Sequence, residues 1–287
     1  MATITEAIAE AWQRHQAGHL QEAEQRYRGI LRDAPTHPTA WYLLGVACQV
    51  QGKLDQAVAS YEQALCSRPD FPEVLTNLGV AYAATGRAAD AIRCYRRAAQ
   101  INPGFSRAHN NLGLALAEQR NLTEAVAAFR EALRLEPQFS EAHYNLGKTL
   151  QEQGSMAEAI ACYGRALELQ PEFAEANHNL GLALRSQGRL DDAIACLRRA
   201  VQLQPDSSDA QYNLAATLQD QGRVDEANVC FRRALELRPD LGVDSSFGAS
   251  SDSAGSLSCR AIALIGRGKL DEAEACLRQA LLRTPHE

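Results

Sequence analysis

The chain has 287 residues, 22% of them charged with both signs mixed, and a formal net charge of −6. With no basic excess to neutralise phosphates, nucleic acid is disfavoured as a general partner. No apolar run approaches the roughly 18–20 residues of a membrane span, and the opening MATITEAIAEAW has no basic head before an apolar core, so no membrane partner or signal peptide is expected and the cytoplasm is the expected compartment.

Proline sets the frame along the chain. Pro35, Pro69, Pro103, Pro137, Pro171, Pro205 and Pro239 follow one another at 34 residues, and Pro285 follows after 46. A fixed period of this length is the signature of a repeat array. Aligned on proline, the units are 4–37, 38–71, 72–105, 106–139, 140–173, 174–207, 208–241 and 254–287. In the first unit Ile4, Ala7, Ile8 and Ala11 keep helical spacing, and Thr3 with Glu6 reads as a capping box. Later units carry Phe71, Phe105, Phe139 or Phe173 just ahead of the first helix, the place of a hydrophobic staple. Each unit is expected to be a helix pair. Glycine 17 residues before the proline (Gly18, Gly52, Gly86, Gly154, Gly188, Gly222, Gly268) ends the first helix, with Arg120 the single exception, and the proline ends the second.

Small residues keep further columns. Alanine precedes the proline by 12 in every unit, from Ala23 and Ala57 to Ala273. A Leu-Gly pair recurs at Leu44-Gly45, Leu78-Gly79, Leu112-Gly113, Leu146-Gly147 and Leu180-Gly181, and an aromatic or leucine falls eight before the proline, as at Tyr61, Tyr95 and Phe129. Antiparallel helices approach closely only over small side chains, and Gly45 with Ala57 is such a pair. One hairpin cannot offset the backbone entropy of ordering its residues, about 1–2 kcal/mol each. Stacked hairpins share a core, so stability is a sum of unit and interface contributions. No stretch alternates with period two, and the fold class is all-α, a solenoid of about eight helix hairpins. Residues 4–241 form seven regular units, the Ser/Gly-rich insertion 242–253 is read as a flexible loop, and 254–287 form a divergent eighth unit with Arg260-Ala261 in place of Leu-Gly.

The pattern Trp41-x-x-Leu44-Gly45, Ala57-x-x-x-Tyr61, Ala64 and Pro69 resembles the tetratricopeptide repeat, over nearly the whole chain. The resemblance implies a right-handed superhelix whose concave face is made mostly by the first helix of each pair. It also implies a role in holding proteins.

The residues that would carry chemistry do not assemble into a catalytic set. Five of the eight cysteines, Cys94, Cys162, Cys196, Cys230 and Cys276, share one column. Equivalent positions in stacked repeats lie about 10 Å apart, beyond the roughly 7 Å that a disulfide spans, so these are expected to be small packing residues. No zinc spacing, HExxH, phosphate loop or nucleophile elbow occurs. His109 and His143, equivalent in adjacent units, are expected to pack against the neighbouring helix. No enzyme activity, cofactor or metal is expected.

The informative column is asparagine. Asn77, Asn111, Asn145, Asn179 and Asn213 stand one residue before the leucine in five consecutive units. Each offers a donor and an acceptor, so a ladder of them on the inner face is suited to gripping the backbone of an extended protein or peptide ligand. Arg107, Tyr144, Lys148, His178, Arg185 and Tyr212 are expected beside it. The units bearing NLG are similar to the repeat arm of O-linked N-acetylglucosamine transferases, in which such a ladder holds protein substrates; the resemblance covers the array alone. A carboxylate clamp of basic residues is not expected, because Tyr42, Val46, Thr76, Val80, Asn110 and Leu114 occupy its positions. Two alternatives stay open at this point: a substrate-recruiting arm of a larger glycosyltransferase, and a self-assembling repeat that dimerises through the C-terminal unit at Leu277 and Leu281.

Overall fold

The structure, a computed structural model, describes residues 3–238, 274–276 and 278–279. The insertion 242–253, almost all of the eighth unit and the dimer residues Leu277 and Leu281 lie outside the described residues. The described chain is helical, with no strand. It forms two compact units, Met1–Gln153 and Gly154–Glu287.

Unit 1 holds α1 (Ile4–Gln16), α2 (Leu20–Asp33), α3 (Pro38–Val50), α4 (Leu54–Ser67), α5 (Pro72–Ala84), α6 (Ala88–Ile101), α7 (Ser106–Glu118), α8 (Leu122–Leu135) and α9 (Ser140–Glu152). Unit 2 holds α10 (Met156–Leu169), α11 (Ala174–Ser186), α12 (Leu190–Leu203), α13 (Ser208–Asp220) and α14 (Val224–Leu237).

Local chemistry explains the boundaries. Thr3 and Glu6 make the reciprocal capping box at the start of α1, with Thr3 N donating to Glu6 Oε2 at 2.7 Å. Each odd helix ends in a tight reversal. At α5 the Gly86 N–H donates to Ala83 O and the Arg87 N–H to Tyr82 O, with Gly86 at φ 77°, the pair of bonds that defines a Schellman cap. The reversal after α7 keeps the same two bonds, from the Arg120 N–H to Ala117 O and from the Asn121 N–H to Leu116 O, and drives Arg120 to φ 61° although it carries a Cβ. Even helices stop one residue before proline. Their C-caps, Arg68 (φ −140°, ψ 89°) and Asn102 (φ −126°, ψ 89°) among them, have left the helical region because the ring of the next residue excludes it.

The glycine of the Leu-Gly pair has a nearer neighbour than the one expected. A Cβ on Gly45 would lie 2.5 Å from the Tyr61 ring, on Gly79 2.5 Å from Tyr95, and on Gly113 2.7 Å from Phe129. The glycine therefore makes room first for the large side chain eight before the proline; at Gly181, where that residue is Leu197, an added Cβ would also lie 3.2 Å from the Ala193 carbonyl of the alanine column. Tyr61, Phe129 and the alanines Ala23, Ala57, Ala91 and Ala125 are buried. Phe71 is also not a staple: it is the N-cap of α5 itself, buried, with its ring 5.4 Å from Tyr42 of the preceding repeat and the Arg68 guanidinium 4.4 Å above it.

Within unit 1 every even helix also packs on the next odd one, and odd helices touch their odd neighbours: α1 on α3, α3 on α5, α5 on α7, α7 on α9. Even helices keep their backbones farther apart there and meet only through long side chains, Arg28 Nη2 of α2 with Gln56 Oε1 of α4 and Arg96 Nη2 of α6 with Glu124 Oε2 of α8, both at 2.8 Å. A stack drawn together along one edge and spread along the other is curved, with the odd helices inside. In unit 2, the backbones of α11 and α13 come together while α12 and α14 meet only through the Arg198–Glu226 pair at 2.7 Å, so the same edge is inside.

Candidate ligand-binding face of the odd-numbered helices

The asparagine column lies on the odd helices, each member half-buried. In unit 1 Asn77 stands on α5, Asn111 on α7 and Asn145 on α9; in unit 2 Asn179 stands on α11 and Asn213 on α13. These amides have a task inside the protein. Asn77 Nδ2 donates to the Tyr42 hydroxyl at 3.3 Å, and Asn145 Nδ2 donates to Asn110 Oδ1 at 3.2 Å. Asn213 Nδ2 meets His178 Nε2 at 3.2 Å. In all three the partner is the residue 35 positions earlier, one ahead of the column in the preceding repeat. Asn111 Oδ1 accepts instead from its neighbour Asn110, at 3.4 Å. One N–H of the amide thus clasps adjacent repeats, and Oδ1 with the second N–H is what an amide such as Asn145 can offer a ligand.

The residues expected beside the column divide between the two units. In unit 1 Arg107 and Lys148 are exposed and Tyr144 is half-buried. In unit 2 His178 and Tyr212 are half-buried; the Tyr212 ring meets Phe231 edge-on at 5.4 Å, and Arg185 Nε donates to Asp220 Oδ2 at 2.6 Å. Burial lowers the His178 pKa against the opposing pull of Asp209, favouring the neutral imidazole. Burial likewise raises the Tyr42 pKa, with the Asn77 bond opposing.

One column was passed over in the sequence. Trp12, Val46, Val80 and Leu114 recur at 34 residues on α1, α3, α5 and α7. Trp12 is 38% and Leu114 39% exposed, and Val50, one turn beyond Val46, is 63% exposed. The signal was present: Val46, Val80 and Leu114 were noticed for lacking positive charge rather than for being apolar.

Other columns are structural. His109 and His143 place Nε2 3.2 and 3.0 Å from the carbonyls of Pro103 and Pro137, as Trp41 Nε1 does with Pro35 at 2.7 Å and Asn177 Nδ2 with Pro171 at 3.4 Å. These side chains thus bond to the loop six residues back. Cys94, Cys162, Cys196 and Cys230 are half-buried and Cys276 is buried. Burial raises the Cys94 pKa to about 11, far from a reactive thiolate. Among the described residues no three His, Cys, Asp or Glu side chains gather as metal ligands, and no helix is long and apolar enough to cross a membrane.

Comparison with known proteins agrees with this geometry. The family profile of the cilia and flagella-associated protein 70 C-terminal domain, a tetratricopeptide-repeat family, matches residues 1–255. The chain belongs to this family. A second tetratricopeptide profile matches residues 254–279, which places a repeat motif in the sequence after the insertion. No curated protein matches the tetratricopeptide chain. Its fold is similar to that of Pseudomonas aeruginosa PilF (21% identity, TM-score 0.66, 77% of this chain and 97% of that one). It is also similar to YrrB, described as a TPR protein with an unusual peptide-binding site (22%, 0.55, 63% and 93%), and to MamA (25%, 0.52, 57% and 96%). Tetratricopeptide proteins serve in general as protein-interaction scaffolds.

Proposed function

We propose that the chain is a non-catalytic scaffold that holds extended segments of partner proteins on the odd-helix face of its repeats. The observation that carries this reading is the half-buried asparagine column on the inner edge of each curved stack. The inter-repeat bonds of Asn77, Asn145 and Asn213 fix those amides, so the remaining Oδ1 and N–H meet a peptide backbone with little further ordering, which raises affinity. In unit 1 the contacts are Asn77, Asn111 and Asn145 with Arg107, Tyr144 and Lys148; in unit 2 they are Asn179 and Asn213 with His178 and Tyr212. Backbone recognition reads no particular side chain, as suits a scaffold with several partners. The peptide-binding site described for YrrB belongs to that protein, and this chain shares its fold.

The test is selection of short peptides from a random displayed library on the purified protein, followed by binding to Asn111→Ala/Asn145→Ala and to Leu114→Asp. Weaker binding to both variants, with melting curves showing them folded, supports the proposal. Peptides that bind all three proteins equally place the binding elsewhere and overturn it.

A further inference from the structure

The odd-helix face of unit 1 changes character along the stack. Repeats one to four present Trp12, Val46, Val50, Val80, Ala84 and Leu114, and at the fifth repeat the column of Val46, Val80 and Leu114 continues as Lys148. Three of the large apolar side chains that unit 1 leaves exposed, Trp12, Val50 and Leu114, are on this face. Val46 and Val80 are half-buried and rest on the core below, so the stripe is firmly seated. Exposed apolar groups at matched positions of stacked repeats are a contiguous surface, the kind that marks an interaction site.

Charge and spacing decide the occupant. The column of Trp12, Val46, Val80 and Leu114 carries no ionisable group over four repeats, so a charged side chain laid on it would lose hydration without gaining a partner; the column beside it, Val50 and Ala84, continues as the exposed Glu118 in the fourth repeat. Lys148, at the end of the first column, is exposed and has no ion-pair partner among the described residues. The nearby carboxylate Glu152 is already held by Arg120 at 2.9 Å. Neighbouring odd helices are in contact, which sets their axes about 8–10 Å apart. A chain in the polyproline conformation advances about 3.1 Å per residue with three residues per turn, so every third residue faces the same side and meets a new repeat.

Resting on the proposed peptide-holding role of this face, we infer that unit 1 selects partner segments with a large apolar side chain at every third residue and a carboxylate where the chain reaches Lys148. The asparagines hold the backbone, and the apolar stripe sets the register.

The probes are synthetic peptides of about twelve residues, four repeats at three residues each, with leucine at every third position, serine and proline between, and glutamate at one end or the other. An isomer of identical composition has its leucines clustered. Fluorescence anisotropy with the full chain is expected to show the periodic peptide binding about tenfold tighter, a difference near 1.4 kcal/mol. Leu114→Ser and Val50→Ser, both at exposed positions, should each erase much of that difference, and Lys148→Glu should remove the preference for one glutamate position. Equal binding of the isomers overturns the register. If Leu114→Asp still weakens both isomers equally, the scaffold reading survives while this inference fails. Binding of neither peptide also overturns it, and the library selection then decides the scaffold reading by itself.

Discussion

Asn145 reaches back one repeat to Asn110, its amide nitrogen 3.2 Å from the other side chain's oxygen. Asn110 is only 5% exposed, so the bond satisfies an acceptor that water reaches poorly. The residue best placed to hold a ligand is therefore also a fastener between repeats, and the two roles separate energetically. Asn145→Ala is expected to cost about 1–2 kcal/mol, because it leaves the Asn110 oxygen without its donor. In a double-mutant cycle on thermal or urea unfolding, Asn110→Ala/Asn145→Ala should cost less than the two single changes added. Strict additivity would mean that the contact contributes nothing to stacking.

The reversal after α7 is the weakest of the turns for a reason that can be removed. Arg120 holds φ 61° where the equivalent residues, Gly86 and Gly154 among them, are glycine. Arg120→Gly relieves that strain and is expected to stabilise by about 0.5–1 kcal/mol. The loss of the exposed Arg120–Glu152 pair subtracts a few tenths of that gain. The converse change, Gly86→Ala, should destabilise by about 1 kcal/mol, although nothing lies within 4 Å of the added carbon. Melting temperatures moving in opposite directions for the two variants would confirm that the backbone conformation decides the effect.

At Gly79 the constraint is space rather than backbone. An added Cβ would lie 2.5 Å from the Tyr95 ring, which is 3% exposed and has no room to retreat. Gly79→Ala should cost about 2–3 kcal/mol, the range for overpacking a filled core. The seventh repeat shows what accommodation looks like, with Ala215 and Phe231 both buried. Gly79→Ala/Tyr95→Phe, which copies that pair, should recover only part of the loss, since the ring remains. Full recovery would assign the cost to the tyrosine hydroxyl and not to the ring.

These cases explain why the array was legible in the sequence and the site less so. Period, proline and glycine are each tied to one backbone requirement, so the helices α1 to α14 follow from them. The nearest neighbour of Gly45 was not foreseen because a column of alanines and a column of aromatics on the second helix are equally regular on paper. Only the direction of the side chains separates Ala57 from Tyr61. The asparagines were seen, yet their bonds to Tyr42, Asn110 and His178 were not, because the partner column changes residue type from repeat to repeat. The stripe through Trp12 and Leu114 was masked for a similar reason. An apolar residue on an amphipathic helix reads as core until its exposure is known.

The N-terminal junction should respond to acid. The Glu24 side chain is 12% exposed and accepts from Lys53 Nζ at 2.7 Å, Arg28 Nη2 at 2.9 Å and Gln51 Nε2 at 3.0 Å, tying α2 to the turn between α3 and α4. The Lys53 bond is the largest cause holding its carboxyl below the ordinary range; burial opposes it, and Gln51 and Arg28 add to the lowering. A carboxylate whose folded pKa lies below its unfolded value, about 4.3, contributes its stability fully above that value. The contribution is lost as pH falls through the folded pKa, because the folded state must then take up a proton that the unfolded state already holds. Glu24→Gln should cost about 2 kcal/mol at neutral pH. The gap between wild-type and variant stability should narrow as the pH falls below the unfolded value. Urea unfolding of both proteins from neutral to acid pH measures that gap, and a gap constant with pH would show that Glu24 acts through its shape and packing instead of its charge.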